Sequence, residues 1–212
     1  MKARDRAWEG FTRRVLAGEI LPGQFVTQRE LAEITGYPLG AIRELVPRLE
    51  AEGLIVTAPQ RGLQVAQADL KLVRNAFQFR EFLEVPAVRH YARVADPGEL
   101  AGLRAEHEAV IERRTEEDDN WLMQDAELVD LRLHEAIIGS LDNEIVSNAY
   151  RVNWIKIKLI RLAETRLYVP MIPQVMGEHL KVIHALERRD ADAAAEAVRS
   201  HIDVARRRAV DI

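Results

Sequence analysis

The 212-residue chain contains no cysteine, which excludes disulfide bonds and metal sites built from thiolates. It has no run of about 18 consecutive apolar residues, so no segment is suited to crossing a bilayer. Its first residues, MKARDRAWEGF, are charged where an export signal needs an apolar stretch. These absences fit a reducing compartment, and we expect a cytoplasmic protein with no membrane segment.

A broad basic surface is also absent, although the chain has ample apolar content for packed cores. Residues 1–68 hold nine Lys/Arg against eight Asp/Glu, and residues 69–212 hold 21 against 26, which gives the net charge of −4. The excess acid therefore lies in the second part. Any affinity of the first part for nucleic acid must depend on a few placed arginines and on dimerisation.

What is present near the amino end is the pattern of two short helices joined by a glycine turn. Thr27 and Glu30 have the spacing of a capping box at the start of the first helix. Gly36 breaks that helix, and a second one opens near Pro38 and stops at Gly53. A third helix, over residues 10–21, is expected ahead of them.

Two weakly alternating strands follow, over 54–57 and 63–66, around a tip formed by Gln60, Arg61 and Gly62. Two helices followed by such a hairpin predict a winged helix-turn-helix. Arginine on both the second helix and the tip favours DNA as the partner. The alternative is a winged helix that packs against protein.

From residue 68 onward the apolar residues recur with helical period, and turn signals divide the chain into six helices. We therefore predict a mainly α fold with two domains. Residues 1–66 form the winged helix-turn-helix, and residues 67–212 form an all-α bundle of about six helices.

Four polar residues of the second part lie on otherwise apolar helix faces. Asp130 and His134 are four residues apart on one face, and His179 and His201 each lie on an apolar stripe of another helix. A single such histidine is more often a buried, hydrogen-bonded core residue. When all four are considered together, a divalent cation would satisfy all of these polar groups, each of which costs about 1 to 3 kcal/mol when it is buried and unpaired. Three imidazoles and one carboxylate suit zinc or nickel better than calcium or magnesium.

Several motifs carry a family resemblance over nearly the whole chain. At the amino end these are GEILPGQ, RELAEITG, IRE, RLEAEGL and RG; further on they are REFLE (80–84), DLRLH (130–134), His179 and ALERRDADAAAEAVRSH (185–201). With them the chain resembles GntR-family transcription regulators of the FadR branch, whose ligand-binding part is the FCD domain. Six helices in the second part make it look closest to the VanR-like group.

The resemblance implies a homodimeric repressor or activator whose helical domain holds a metal, over which a small carboxylic acid binds as effector. Arg80 falls on a position that pairs with the effector carboxylate in relatives, and a structural salt bridge to Glu84 is the alternative. Asn153 is a weaker candidate for the same pocket, since a buried Asn can also bond a neighbouring helix. The metal-ligand positions of the family fall on Asp130, His134, His179 and His201.

The positions that match the family's DNA contacts are Arg29 ahead of the first helix of the motif, Arg43 in the recognition helix, and Arg61 with Gly62 on the wing. Arg43 is the best candidate for reading a base, because arginine donates twice to a guanine edge. The chain departs from the family at residues 38–41, where Pro-Leu-Gly-Ala replaces a Ser-Arg-Thr-Pro-like entry to the recognition helix. Pro47 within that helix predicts a kink or a shorter helix.

We expect a DNA-binding transcriptional regulator of the repressor kind, controlled by an acid bound at the metal, and not an enzyme. The first alternative is a metal-dependent hydrolase or isomerase with an accessory DNA-binding domain. Glu135 follows His134 directly and should point away from the metal, and no other acid is clearly placed as a general base. A structural protein whose two domains dock other proteins is a second alternative.

Overall fold

The computed structural model describes residues 3–113, 119–163 and 168–210, in which helices accompany one small sheet. No helix in these ranges combines the length and the apolar character needed to span a membrane. The predicted mainly α class with six helices after the wing is confirmed. The elements, in chain order, are α1 Ala3–Leu16, β1 Phe25–Val26, α2 Gln28–Thr35, α3 Leu39–Ala51, β2 Ile55–Ala58, β3 Gly62–Val65, α4 Leu70–Val94, α5 Pro97–Arg113, α6 Asp119–Gly139, α7 Glu144–Ala163, α8 Tyr168–Glu187 and α9 Ala191–Val210.

The predicted capping box starts α2. Thr27 Oγ1 accepts from the Glu30 backbone N–H at 3.1 Å, and the Glu30 carboxylate accepts from the Thr27 N–H at 2.7 Å. Gly36 then ends the helix in the left-handed region, at φ 75°. Only residues 36–38 separate α2 from α3, so the sequence forms the expected helix-turn-helix.

The recognition helix α3 begins after Pro38 and continues through Pro47 to Ala51. The shorter helix that Pro47 allowed is therefore excluded. Gly53, at φ 66°, lets its own N–H reach the Glu50 carbonyl while Leu54 N–H reaches the carbonyl of Leu49. This is the glycine stop that the sequence predicts.

The wing is a three-stranded antiparallel sheet of order β1-β3-β2. Each strand of its hairpin differs by one residue at both ends from the predicted bounds of 54–57 and 63–66, since β2 is Ile55–Ala58 and β3 is Gly62–Val65. The strand β1 was not predicted, because two residues carry no alternating pattern. It pairs Phe25 with Gln64 and Val26 with Leu63.

The prediction of a helix over 10–21 was wrong at both ends. Gly10 lies inside α1, where a Cβ atom would collide with the Tyr37 ring. This glycine therefore marks a close packing contact and not the start of a helix. At the other end α1 stops at Leu16, and Gly18 takes a left-handed φ of 72°.

The chain packs as two compact units. Within the described ranges, the first comprises residues 3–76 and 151–163, and the second comprises residues 77–113, 119–150 and 168–210. The apolar core of the first unit joins α1, α2, α3 and the sheet to three side chains of α7: Val152, Ile155 and Leu159. Both α4 and α7 contribute residues to each unit. A boundary between independently folding domains at residue 66 remains a prediction.

Candidate metal centre

Four buried side chains from three helices meet in the second unit. Asp130 and His134 lie one turn apart on α6, His179 lies on α8 and His201 on α9. None of the four is more than 2% exposed. One donor atom from each lies within 4.8 Å of the other three. The structure therefore brings together all four residues that the sequence predicts as metal ligands.

Each of the three imidazole rings turns its Nε2 atom toward the centre. His179 Nε2 lies 3.3 Å from Asp130 Oδ1 and 3.4 Å from His201 Nε2. His134 Nε2 lies 3.6 Å from the same carboxylate oxygen. Three imidazole nitrogens and one carboxylate oxygen form a donor set that suits zinc or nickel and offers too little oxygen for calcium. The residues present fit a transition-metal ion.

The opposite nitrogen of each ring has a partner of its own. His134 Nδ1 lies 2.8 Å from Glu84 Oε2, and His201 Nδ1 lies 3.0 Å from Glu178 Oε2. These contacts hold each ring with Nε2 turned inward, as second partners of metal-binding histidines do. Neither glutamate carries a sequence pattern that predicts this role.

Arg80 lies fully buried beside the centre. Its Nε donates to Glu84 at 2.6 Å, so the ion pair weighed as an alternative role is present. Its Nη2 lies 3.1 Å from His134 Nε2. Tyr150 also donates to Glu84, at 2.9 Å. The third guanidinium nitrogen, Nη1, is buried and has no hydrogen-bond partner among the described residues.

The buried environment controls which groups carry charge. Burial lowers the pKa of His201 to about 4 and places the pKa of His179 well below its ordinary value. Both rings are therefore neutral near pH 7, as metal binding requires. Burial opposes ionisation of Glu84, but Arg80 outweighs it and holds the pKa of that carboxyl low. Glu84 in turn outweighs burial at His134 and raises its pKa.

The family model for the FCD domain matches residues 75–204, which include the whole centre. The chain belongs to the FCD-domain family. Its sequence is 25% identical over 191 residues to the HTH-type transcriptional repressor RspR of Escherichia coli (strain K12), covering 86% of this chain and 78% of that protein.

The fold of this FCD protein is shared with solved structures. Escherichia coli McbR/YncC has a TM-score of 0.80 at 17% identity, over 96% of this chain and 95% of that one. A GntR transcriptional regulator from Rhodococcus sp. RHA1 has a TM-score of 0.79 at 14% identity, over 98% and 97%. The family match and the regulator relatives make the chain a transcriptional regulator of the GntR/FCD type and not an enzyme. Regulators of this type bind operator DNA and commonly form dimers. Glu135, which follows His134 directly and was expected to point away from the metal, is exposed.

Asn153 of this FCD regulator lies in the first compact unit. Its side-chain nitrogen donates to the Ala76 carbonyl at 3.1 Å, a bond between α7 and α4. The bond to a neighbouring helix that the sequence allowed as the alternative is therefore present. A contact of Asn153 with an effector remains a prediction.

Two of the arginines assigned to DNA lie exposed on the helix-turn-helix. Arg29 is the second residue of α2 and not ahead of it, because the helix begins at Gln28. Arg43 projects from α3 on the side opposite the buried Ile42 and Leu45. Both side chains are free of the core, and their roles in binding DNA remain predictions.

The wing residues have structural roles as well. The exposed Arg61 places its guanidinium 3.9 Å from the centroid of the Phe25 ring, a cation–π contact that holds it on the sheet. Gly62 has φ 92°, and a Cβ atom there would lie 2.9 Å from the Val26 carbonyl oxygen. The close approach of β1 therefore requires glycine, whatever Gly62 contributes to DNA binding.

Proposed function

We propose that the chain is a homodimeric, cytoplasmic repressor whose affinity for operator DNA is controlled by a small carboxylic acid bound at the metal centre. The observation that carries this proposal is the convergence of three ring nitrogens and a carboxylate beside the buried Arg80, which has one nitrogen without a hydrogen-bond partner in the described part of the chain. The name of the RspR relative favours repression over activation.

Asp130, His134, His179 and His201 would hold the metal, with zinc or nickel the best fit to the donor set. When bound, the ion would act as a Lewis acid that attracts a carboxylate oxygen. The chain contributes the fixed orientation of the rings, which Glu84 and Glu178 maintain from the outside.

Arg80 is the residue that we expect to receive the acid. Its planar guanidinium suits two-point binding of a carboxylate, and Nη1 is the nitrogen left to donate. With a divalent ion, the charges of Arg80, Glu84, Asp130 and the metal leave one net positive charge in a buried space. A single carboxylate neutralises that charge, which favours a monoanionic acid. Asn153 is proposed as a further contact.

Arg43 on α3 is proposed to read a base, while Arg29, Arg61 and the wing around Gly62 contact the phosphate backbone. The altered residues 38–41 lack an arginine and a hydroxyl that relatives direct at DNA, so we expect a different operator or a lower affinity. An acid that releases DNA must bind the DNA-incompetent state more tightly. A typical coupling of about 1 to 3 kcal/mol corresponds to roughly 5- to 150-fold in affinity.

The metal is tested with His134→Ala against His184→Ala, an exposed histidine on α8. Elemental analysis and zinc titration of purified protein should show loss of the metal only in His134→Ala. Operator binding by the variant without acid should remain measurable. Equal metal content in both variants would remove the metal from the proposal.

DNA binding is tested with Arg43→Ala against Arg74→Ala, an exposed arginine on α4. Fluorescence anisotropy with DNA from upstream of the chain's own gene should show binding that is sequence-selective and sensitive to salt. We expect Arg43→Ala to weaken it by about 1 to 3 kcal/mol and relax its selectivity. Binding that ignores sequence and salt would favour a protein-docking role for the winged helix.

A further inference from the structure

A fourth histidine is buried beside the metal centre without being one of its ligands. His107 lies on α5 with no exposed surface. Its ring meets that of His179 edge-on, with the centroids 5.2 Å apart and the planes at 76°. His107 was not among the predicted site residues, although it shares one buried face of α5 with Leu103 and Val110.

The hydrogen bonds of His107 define where its proton lies. Nδ1 is 2.6 Å from the carbonyl oxygen of Leu103, and a carbonyl oxygen can only accept. Nδ1 therefore carries the hydrogen. With the single hydrogen of the uncharged ring on Nδ1, Nε2 is left with a lone pair and acts as an acceptor.

This acceptor faces His179. His107 Nε2 lies 3.2 Å from His179 Nδ1, so His179 must donate from Nδ1. The lone pair of His179 is then on Nε2. That is the nitrogen 3.3 Å from Asp130 Oδ1 and 3.4 Å from His201 Nε2. One backbone carbonyl, acting through His107, thus determines which nitrogen of His179 is available to a metal.

We infer that His107 is a positioning residue that fixes the tautomer of His179 and directs its Nε2 lone pair to the metal. The inference rests on the metal site of the proposed function. Carboxylates orient the other two rings, from Glu84 and Glu178. A neutral imidazole performs the same task at His179 without a further buried negative charge.

The first test compares the zinc affinity of His107→Leu and His107→Gln in the full chain, by competition with a chelating indicator. Leucine removes the acceptor, whereas the glutamine amide oxygen can accept from His179 Nδ1. We expect zinc binding to weaken about 10- to 100-fold in His107→Leu and to be largely restored in His107→Gln. His184→Leu, on the exposed side of α8, is the control and should match the unmodified chain.

Unchanged zinc affinity in His107→Leu would overturn the inference. So would an equal loss in the leucine and glutamine variants, because the ring would then matter only for its shape. Urea unfolding in the presence of EDTA accompanies each variant, so that a loss of folding is not mistaken for a loss of ligation.

The second test reads the tautomers directly and does not depend on a variant that folds. In ¹⁵N spectra of the unmodified, metal-free chain, His107 and His179 should both be protonated at Nδ1 and unprotonated at Nε2. Protonation of His179 at Nε2 would overturn the inference. Failure of the unmodified chain to bind zinc would instead refute the proposed metal site, with the tautomer result still deciding the role of His107.

Discussion

The two compact units differ in where their polar side chains lie. The core of the first unit is built from apolar residues, and the arginines assigned to DNA lie on its surface. The second unit encloses charge. Of the ten buried polar or charged residues in the described part of the chain, seven belong to it: Arg80, Glu84, His107, Asp130, His134, His179 and His201.

This difference separates stability from function. Apolar burial stabilises a fold directly, whereas buried ion pairs are often no better than apolar replacements because desolvation offsets their attraction. The polar interior of the second unit therefore needs a reason other than stability, and the proposed binding of a metal and an acid would supply it. In the first unit the arginines that we propose to bind DNA are exposed, so its core can remain apolar.

The largest effect is expected from removing a charge inside the second unit. Glu84→Gln leaves Arg80 without its ion-pair partner, and breaking a buried pair costs about 3 to 5 kcal/mol. Glu81→Gln is the control, since Glu81 is exposed on the same helix and its pair with Arg199 is worth less than about 1 kcal/mol. Urea unfolding in EDTA measures both. If the two variants lost similar free energies of unfolding, the buried Arg80–Glu84 pair would not be important for stability.

The apolar core of the first unit is tested with two isoleucines of one helix. Ile155 is 1% exposed within that core, whereas Ile145 is 82% exposed. Ile155→Ala should reduce the free energy of unfolding by about 2 to 5 kcal/mol. Ile145→Ala should change it by less than about 0.5 kcal/mol. A small effect at Ile155 would show that α7 is not needed by the winged helix.

Acid should weaken the metal-free second unit through His201. Its pKa falls from an ordinary 6.5 to about 4 in the folded chain, so the unfolded state takes up the proton first as the pH falls. The stability that this ring contributes is complete above about pH 6.5 and is lost towards pH 4. The loss amounts to roughly 3 kcal/mol.

The raised pKa of His134 acts in the opposite direction, since its contribution is complete below about pH 6.5 and is lost at higher pH. Unfolding of His201→Gln in EDTA therefore isolates the effect of His201. The variant should show a flatter pH dependence between pH 6.5 and 4 than the unmodified chain. An unchanged slope would contradict the prediction.

The smallest effect is expected at the surface of the first unit. Thr27→Ala removes the side-chain cap of α2 and should cost about 0.5 to 2 kcal/mol. Thr27→Ser keeps an oxygen in place and should recover most of the loss. The two variants are compared by urea unfolding, and equal stability would show that the cap contributes little.

Local signals made most of the first unit predictable. Thr27 with Glu30 and Gly53 mark helix ends through hydrogen bonds within a few residues, and the structure confirms them. The errors arose where tertiary packing decides. Gly10 looks like a helix boundary along the chain, but the ring of Tyr37 explains it.

The four residues that meet in the candidate metal centre were predictable from the sequence, but the side chains that orient them were not. Asp130 and the three histidines interrupt apolar stripes, and the family resemblance strengthened that signal. Their outer partners have no such mark. His107 is 72 residues from His179, and Glu84 is 50 from His134, so only the folded chain brings each pair together. No periodicity along one helix encodes such a contact.

The contribution of α7 to the first unit affects how the protein is made. A ribosome releases the winged-helix sequence early, yet Val152, Ile155 and Leu159 are translated long afterwards. Until then the apolar surface of the winged helix that packs against α7 is uncovered, and the nascent chain is exposed to chaperones and proteases. A chimaera in which another protein's domain follows residue 66 would leave this apolar surface uncovered. We therefore expect a stable chimaera to need the segment of α7 that contains Val152, Ile155 and Leu159.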